Sequence, residues 1–169
     1  AVTITYNSAP APDAGSDAST CEQTAYTVSG ASAPNSTSVL WTSNGTGLLT
    51  DAATLTPPYT PAAGELGQVT LTLTAYGSTQ CPNSSDQMVL TIVPMAVADA
   101  GNDATVCENT PFTVSGANAM HAASLLWTAT GPGVLTNETS LTPTYTPELG
   151  QTGDVILTLT VTGNSPCGT

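Results

Sequence analysis

The chain has 169 residues and a formal net charge of −12, with twelve Asp and Glu residues and no Lys or Arg. Binding to nucleic acid or to an anionic membrane depends on cationic side chains that neutralise phosphates, so the composition argues against both kinds of partner. No apolar run long enough to cross a bilayer occurs, so the sequence predicts no membrane insertion.

The sequence contains the same unit twice, with matching positions 86 residues apart and no insertion or deletion. Between Asp13 and Cys81, 37 of 69 positions are identical to those between Asp99 and Cys167. A repeat this regular indicates one folding unit used as a building block, so function is expected in the array rather than in a single pocket. The predicted domains are residues 1–10 (the last strand of a preceding or neighbouring repeat, plus a linker), residues 11–97 (repeat 1) and residues 98–169 (repeat 2 without its last strand).

The first predicted element is out of phase with the repeat. Val2, Ile4 and Tyr6 alternate with polar residues, and they precede the apolar positions of the segment 87–93 by one period. Residues 1–6 are therefore predicted to be an assembly strand, while the second repeat stops at Thr169, before its own last strand begins.

The following elements alternate apolar and polar residues with a period of two, which predicts strands with one face in a core. Turn-forming clusters of Gly, Pro, Asn and Ser separate them, and residues 94–98 are predicted to be a short, stiff link between the domains. Trp41 and Trp127 are predicted to lie in the core, on the third strand of each repeat. The pattern predicts an all-β chain of two tandem immunoglobulin-like β-sandwich domains. The predicted strand regions of the first repeat are 17–21, 25–30, 38–43, 48–61 (two strands), 69–76 and 87–93.

Four segments carry a resemblance to a known family: Ala98-Asp-Ala-Gly-Asn-Asp-Ala-Thr-Val-Cys-Glu108, Ser124-Leu-Leu-Trp-Thr128, Leu141-Thr-Pro-Thr-Tyr-Thr-Pro147 and the Leu-Thr-Leu-Thr strand. They resemble the PKD-like, immunoglobulin-like repeats of giant secreted surface proteins of Bacteroidota, including gliding-type adhesins and filaments. The resemblance covers nearly the whole chain, and it implies an extracellular, type IX-secreted filament or adhesin. The Trp-Asx-Phe-Gly-Asp segment of ordinary PKD domains is replaced here by Trp41-Thr-Ser-Asn-Gly45, so no ligand role of that segment carries over.

His121 is the only histidine, and Asn35 takes its place in the first repeat. Nucleophilic catalysis needs a positioned base, and a repeat array that lacks this base in one copy is not built around it. The sequence therefore predicts a protein that is not an enzyme and has no catalytic residue.

Two Asp-x-Gly-x-Asp segments lie where each domain begins. Their carboxylates, Asp13, Asp17, Asp99 and Asp103, are candidate calcium ligands that would stiffen a junction. Asp-Ala-Gly is also the sequence of an Asx-type turn, so the alternative is a purely local structural role.

Four cysteines in two equivalent pairs predict disulfides and an oxidising compartment. One pairing lies within each repeat, Cys21–Cys81 and Cys107–Cys167, and would stabilise it by about 4 kcal/mol. In an immunoglobulin-like sandwich, however, the loops that carry these cysteines lie at opposite ends of an eight-residue strand about 26 Å long, whereas bridged Cα atoms lie within about 7 Å. The topology thus favours a staggered pairing, Cys21–Cys167 within the chain and Cys107 with Cys81 of the following unit.

The expected function is a structural unit of a secreted bacterial surface fibre, built from copies of this chain in a head-to-tail array. Either the chain is one period of a continuous polypeptide, or it is a subunit whose residues 1–6 complete a neighbour's open sheet. Only three residues separate Thr169 from the next Ala1 in phase, which favours the continuous chain. The alternatives are an adhesin that binds a surface glycan or protein, and a passive stalk that displays a distant domain.

Overall fold

The structure, a computed structural model, describes residues 1–168. It separates into two compact units, Ala1–Pro94 and Met95–Thr169. Over the described residues it contains strands and turns but no helix, which confirms the prediction of an all-β chain. Thr169, where the second predicted domain ends, lies outside the described residues.

The first unit consists of two sheets. One has the order β1 (Ala18–Cys21), β7 (Ser84–Val93), β6 (Gly67–Tyr76) and β3 (Ser38–Ser43), and the other has the order β2 (Tyr26–Thr27), β5 (Pro58–Thr60) and β4 (Leu48–Leu49). Strand β1 runs parallel to β7, and all other neighbours are antiparallel. In immunoglobulin nomenclature these sheets are G-F-C, with the first strand added beside G, and B-E-D, so the predicted immunoglobulin-like topology is confirmed.

The core of the first unit is built by the alternation along its two long strands. Leu71 and Leu73 of β6 and Leu90 of β7 are completely buried, because every second side chain of these strands points to the same face. Trp41 of β3 and Tyr59 of β5 are 1% and 0% exposed in the same cluster. Each such apolar side chain contributes about 1.5–3 kcal/mol through burial.

The second unit repeats the smaller sheet and only part of the larger one. Its three-stranded sheet has the order β12 (Val134–Thr136), β13 (Thr144–Thr146) and β9 (Phe112–Thr113), and β11 (Ala122–Ala129) pairs with β14 (Leu157–Gly163) in a two-stranded sheet. The core of this unit includes Trp127, Tyr145 and Val114, which are 2%, 5% and 4% exposed.

A short ladder occupies part of the predicted link between the domains. Residues 97 and 98, assigned by the sequence to the link 94–98, belong to β8 (Val97–Asp99), which pairs antiparallel with β10 (Asn118–Met120). In the first unit the equivalent contact is a single bridge between Asp13 and Ser32. Neither segment has an alternating apolar pattern, so periodicity gives no signal for this ladder.

Residues 1–6 form no ladder with any described residue. Val2, Ile4 and Tyr6 are 90%, 69% and 91% exposed. A segment with three large exposed apolar side chains is unusual in a folded chain, and the pairing of this segment with another repeat stays a prediction.

Candidate assembly site

The candidate site is the outer edge of β14. In the first unit the equivalent strand, β6, pairs with β3 on one side and with β7 on the other. In the described part of the second unit, β14 pairs with β11 alone, and β8 lies beside it without forming a ladder. One edge of β14 therefore offers the backbone N–H and C=O groups that β6 uses to bind β7.

The inner face of β14 is less covered than that of β6. Val69, Leu71 and Leu73 are at most 3% exposed, because β7 lies alongside them. Their counterparts Val155, Leu157 and Leu159 are only half-buried. Side chains that belong to a core thus remain partly in water, which is the condition for binding an added strand.

The segment that corresponds to β1 also differs between the units. Residues 104–107 form no strand and are exposed throughout, although they align with β1. Ala14 and Thr20 are 0% and 5% exposed in the first unit, whereas Val106, the counterpart of Thr20, is 50% exposed. In the first unit β1 pairs only with β7, and the described residues of the second unit contain no counterpart of β7 with which this segment could pair.

Strand β7 shows which side chains would complete the core at the open edge of β14. It contributes Met88, Leu90 and Ile92 to the core of the first unit, and these side chains are at most 2% exposed. Val2, Ile4 and Tyr6 precede them by 86 positions and preserve their alternation. Residues 1–6 thus present the apolar pattern that the second unit lacks.

The repeat fixes the register in which residues 1–6 would fill this edge. In the first unit Leu90 lies opposite Val69 on one side and Ala18 on the other. Shifted by one period, Ile4 would lie opposite Val155, two residues before β14, on one side and opposite Ala104 on the other. The docked strand would run antiparallel to β14 and parallel to residues 104–107.

The aspartates proposed as calcium ligands accept backbone hydrogen bonds. Asp13 Oδ1 accepts from the Gly15 amide at 2.9 Å, and Asp99 Oδ1 accepts from the Gly101 amide at the same distance, which are Asx turns. The glycines have φ angles of +85° and +86°, which favour glycine. Asp17 Oδ1 accepts from the amide of Val89 in β7 at 2.8 Å, so this carboxylate helps to hold β7 in place.

No calcium site is assembled in the described residues. Within residues 1–168, no group of three or more His, Cys, Asp or Glu side chains lies close enough to hold a metal ion. The proposed calcium ligands Asp13, Asp17, Asp99 and Asp103 stay a prediction, and the observed geometry supports the turn interpretation for Asp13 and Asp99. His121 is exposed and has a φ of +56°, close to the +61° of Asn35, so these two residues occupy the same turn.

A tyrosine hydrogen-bond network, which the sequence reasoning missed, braces each unit. Glu65 accepts from the Tyr59 hydroxyl at 2.9 Å and from the Thr46 amide at 2.6 Å through Oε1, and from the Ala62 amide at 3.0 Å through Oε2. Tyr59 in turn accepts from the Gly47 amide at 2.9 Å. Tyr59 and Gly47 of the first repeat recur as Tyr145 and Gly133 of the second. This repetition was the signal that could have revealed the network.

The network shifts two pKa values. Burial and, after it, the hydrogen bond to Glu65 raise the pKa of Tyr59. Burial alone would raise the pKa of Glu65, but the amides of Ala62 and Thr46 together with the Tyr59 hydroxyl hold that pKa below its usual range. In the second unit Gln151 replaces Glu65, so the equivalent network carries no charge.

The cysteines follow the staggered pattern within the chain. Cys21 and Cys167 are disulfide-bonded to each other, while Cys81 and Cys107 are free thiols. The within-repeat pairings Cys21–Cys81 and Cys107–Cys167 are therefore wrong. The second staggered bond, between Cys107 and Cys81 of another unit, stays a prediction.

Two shallow depressions lie on the surface of the described residues. One, of about 550 Å³, is lined by residues of the segments 13–18 and 26–30, and the other, of about 420 Å³, by residues 130–132 and 148–154. They lie at different places in the repeat, so they are not two copies of one binding site.

No family model matches the chain, and no curated protein matches it. One similar solved structure is that of Sidekick-1 immunoglobulin domains 1–5, with 17% identity and a TM-score of 0.45; the match covers 93% of this chain and 39% of that one. The fold assignment rests on the strand order above. Residues 1–168 contain no helix, and therefore none that could cross a membrane.

Proposed function

We propose that this protein is a structural unit of an extracellular surface fibre, in which the open edge of β14 is completed by a strand with the pattern of residues 1–6. The observation that carries the proposal is the open edge of β14: in the described residues, one copy of the repeat forms a four-stranded sheet and the other a two-stranded sheet. Residues 1–6 carry the alternating apolar pattern of β7, so they have the features expected of a strand that pairs with such an edge.

An extracellular location is supported by the cysteine chemistry. The Cys21–Cys167 disulfide requires an oxidising compartment to form and persist. The resemblance to Bacteroidota surface repeats makes a bacterial cell surface and type IX secretion part of the proposal. A charge of −12 without any cation keeps like copies apart except where a specific joint overcomes repulsion.

The adhesin alternative lacks a comparable feature. Glycan sites usually need exposed aromatic platforms, but Trp41 and Trp127 are 1% and 2% exposed, and the strongly exposed Tyr6 belongs to the proposed assembly strand. A glycan array that returned a strong hit, abolished by loop substitutions, would nevertheless favour an adhesin over a fibre.

The first experiment measures the mass of native material in denaturant, with and without reductant. Species far above 16.9 kDa that survive reduction indicate a continuous repeat polypeptide, whereas a collapse to 16.9 kDa indicates separate subunits. Material that is already 16.9 kDa and monomeric before denaturation contradicts the fibre.

The second experiment tests the strand itself on the purified 169-residue chain. Ile4→Asp places a charge at the position of the fully buried Leu90, and we expect it to abolish assembly seen by sedimentation velocity. Thr5→Asp is the matched control, because its counterpart Thr91 lies on the other face of β7. Equal loss of assembly in both variants would mean that charge repulsion, rather than insertion into a core, explains the effect.

A further inference from the structure

We propose that each joint of the fibre is locked by a disulfide between Cys107 of one copy and Cys81 of the copy whose residues 1–6 fill its β14 edge. This inference rests on the proposed function. It names the covalent partner of each free thiol and the position at which the two meet.

The register brings Cys107 to one residue of the incoming strand. In the first unit Cys21, the last residue of β1, lies opposite Val93 of β7. Moved by one period, the same parallel pairing places Cys107 opposite Asn7 of the incoming copy.

The incoming copy carries its own Cys81 at that residue. The Cys81 thiol donates a hydrogen bond to the Asn7 carbonyl oxygen, with Sγ and O 3.5 Å apart. Cys81 is half-buried and Cys107 is exposed, so neither thiol is hidden from its partner. Docking of residues 1–6 would therefore bring both thiols close to Asn7.

An equivalent bond already exists one repeat earlier. Cys21 precedes Cys107 by 86 residues and Cys167 follows Cys81 by 86 residues, so Cys21–Cys167 and the proposed bond are the same pairing in two positions of the array. Each copy then has two free thiols. Cys81 is the donor thiol, because it lies beside the segment that residues 1–6 begin, and Cys107 is the acceptor thiol, because it belongs to the unit that receives this segment. The contact is heterologous, and it propagates along an array instead of closing a symmetric dimer.

The chemistry is a two-electron oxidation. Each thiol loses its proton, the Cys107 and Cys81 sulfurs form one S–S bond, and two electrons pass to a disulfide oxidant, whose own S–S bond breaks and takes up the two protons to give two thiols. Oxidised glutathione is sufficient as that oxidant in a test.

The test mixes two variants of the 169-residue chain, both of which keep Cys21 and Cys167. C107S retains only the donor thiol and C81S retains only the acceptor thiol. With oxidised glutathione, we expect wild type to give a ladder on non-reducing gels and the two free thiols per chain to fall toward zero. The mixture should stop at heterodimers, and each variant alone should stay monomeric on the gel.

Peptide mapping identifies the bond. Because the chain has no Lys or Arg, digestion uses an Asp/Glu-directed protease, and the expected product links the peptides that contain Cys107 and Cys81. Homodimers formed equally well by each variant alone would overturn the inference, since they indicate pairing without a fixed geometry.

The outcomes separate this inference from the function on which it rests. Assembly that occurs under reductant, is lost in Ile4→Asp and yet gives no Cys107–Cys81 peptide after oxidation overturns the lock and leaves the strand joint intact. Absence of any assembly in wild type overturns both. Cross-linking that persists at the wild-type yield in Ile4→Asp shows that the thiols do not depend on the docked strand, and it overturns the inference as well.

Discussion

Removing the Glu65 carboxylate is expected to destabilise the first unit by about 2–4 kcal/mol. Glu65→Ala deletes the acceptor of the Tyr59 hydroxyl proton, and because Tyr59 is completely buried, water does not replace that acceptor. A buried donor left unsatisfied costs about 1–3 kcal/mol. The amides of Thr46 and Ala62 also lose the carboxylate, but solvent near these positions offsets part of their loss.

The second unit supplies the matched control for this substitution. Gln151 stands at the position of Glu65, and its Oε1 accepts from the Tyr145 hydroxyl at 3.0 Å and from the Glu148 amide at 3.1 Å. An amide oxygen thus sustains the tyrosine contact without charge. We expect Glu65→Gln to cost about 1 kcal/mol or less, since only the charge-assisted part of the bonds is lost.

Acid should affect the two units differently. The folded-state pKa of Glu65 is lowered, so its stabilising contribution is present above its unfolded pKa, near 4.5, and is lost as pH falls through the folded value. Glu65→Gln should remove this part of the acid sensitivity. The raised pKa of Tyr59 gives a contribution that is present below its unfolded pKa of 10.0 and lost as pH rises through the folded value.

Unfolding in urea, monitored by hydrogen–deuterium exchange mass spectrometry, gives the free energy of unfolding separately for peptides of each unit. The alanine variant should lower that free energy in the first unit and leave the second unit unchanged. A loss below about 0.5 kcal/mol, the range of ordinary surface substitutions, would refute the network argument. So would an acid dependence of Glu65→Gln equal to that of wild type.

Three further outcomes are expected. Gly47→Ala should destabilise the first unit by about 1–3 kcal/mol in the same assay, because a Cβ there collides with the Thr60 carbonyl oxygen, and unchanged stability would contradict the close approach. Asp17→Ala should lower the stability of the first unit by about 1–2 kcal/mol through the lost bond to the Val89 amide, whereas Asp103→Ala should act on assembly and leave the unassembled chain unchanged. Chelation by EDTA should leave the melting temperature unchanged, and a fall of several degrees would revive the calcium interpretation.

Strands buried on one face were predictable because alternation is a local signal. The segment 38–43 was predicted and observed with the same bounds as β3, and β6 and β7 extend the predictions 69–76 and 87–93 by two or three residues toward their N-termini. These strands form because every second side chain is apolar and is buried in the core, and this alternation can be read directly from the sequence.

Alternation does not predict whether a segment forms a strand when this depends on a partner strand that lies far away in the sequence. Residues 18–21 and 104–107 occupy the same position of the repeat, yet the first segment forms β1 and the second forms no strand. The difference lies in β7, which pairs with β1 and has no counterpart among the described residues of the second unit. The Glu65 network was missed for a related reason, since it is held by hydrogen bonds between loops rather than by any periodic pattern.

The energetics of the exposed strand explain why a covalent lock would matter. Burying Val2, Ile4 and Tyr6 contributes about 1.5–3 kcal/mol each, while fixing six backbone residues costs about 1–2 kcal/mol each. These contributions are similar in size, so strand docking alone gives a weak joint that depends on protein concentration. A disulfide between Cys107 and Cys81 of the next copy would make that joint independent of concentration once formed. Dilution should therefore dissociate reduced fibres and leave oxidised fibres intact, and equal dissociation of both would show that the cysteines do not secure the joint.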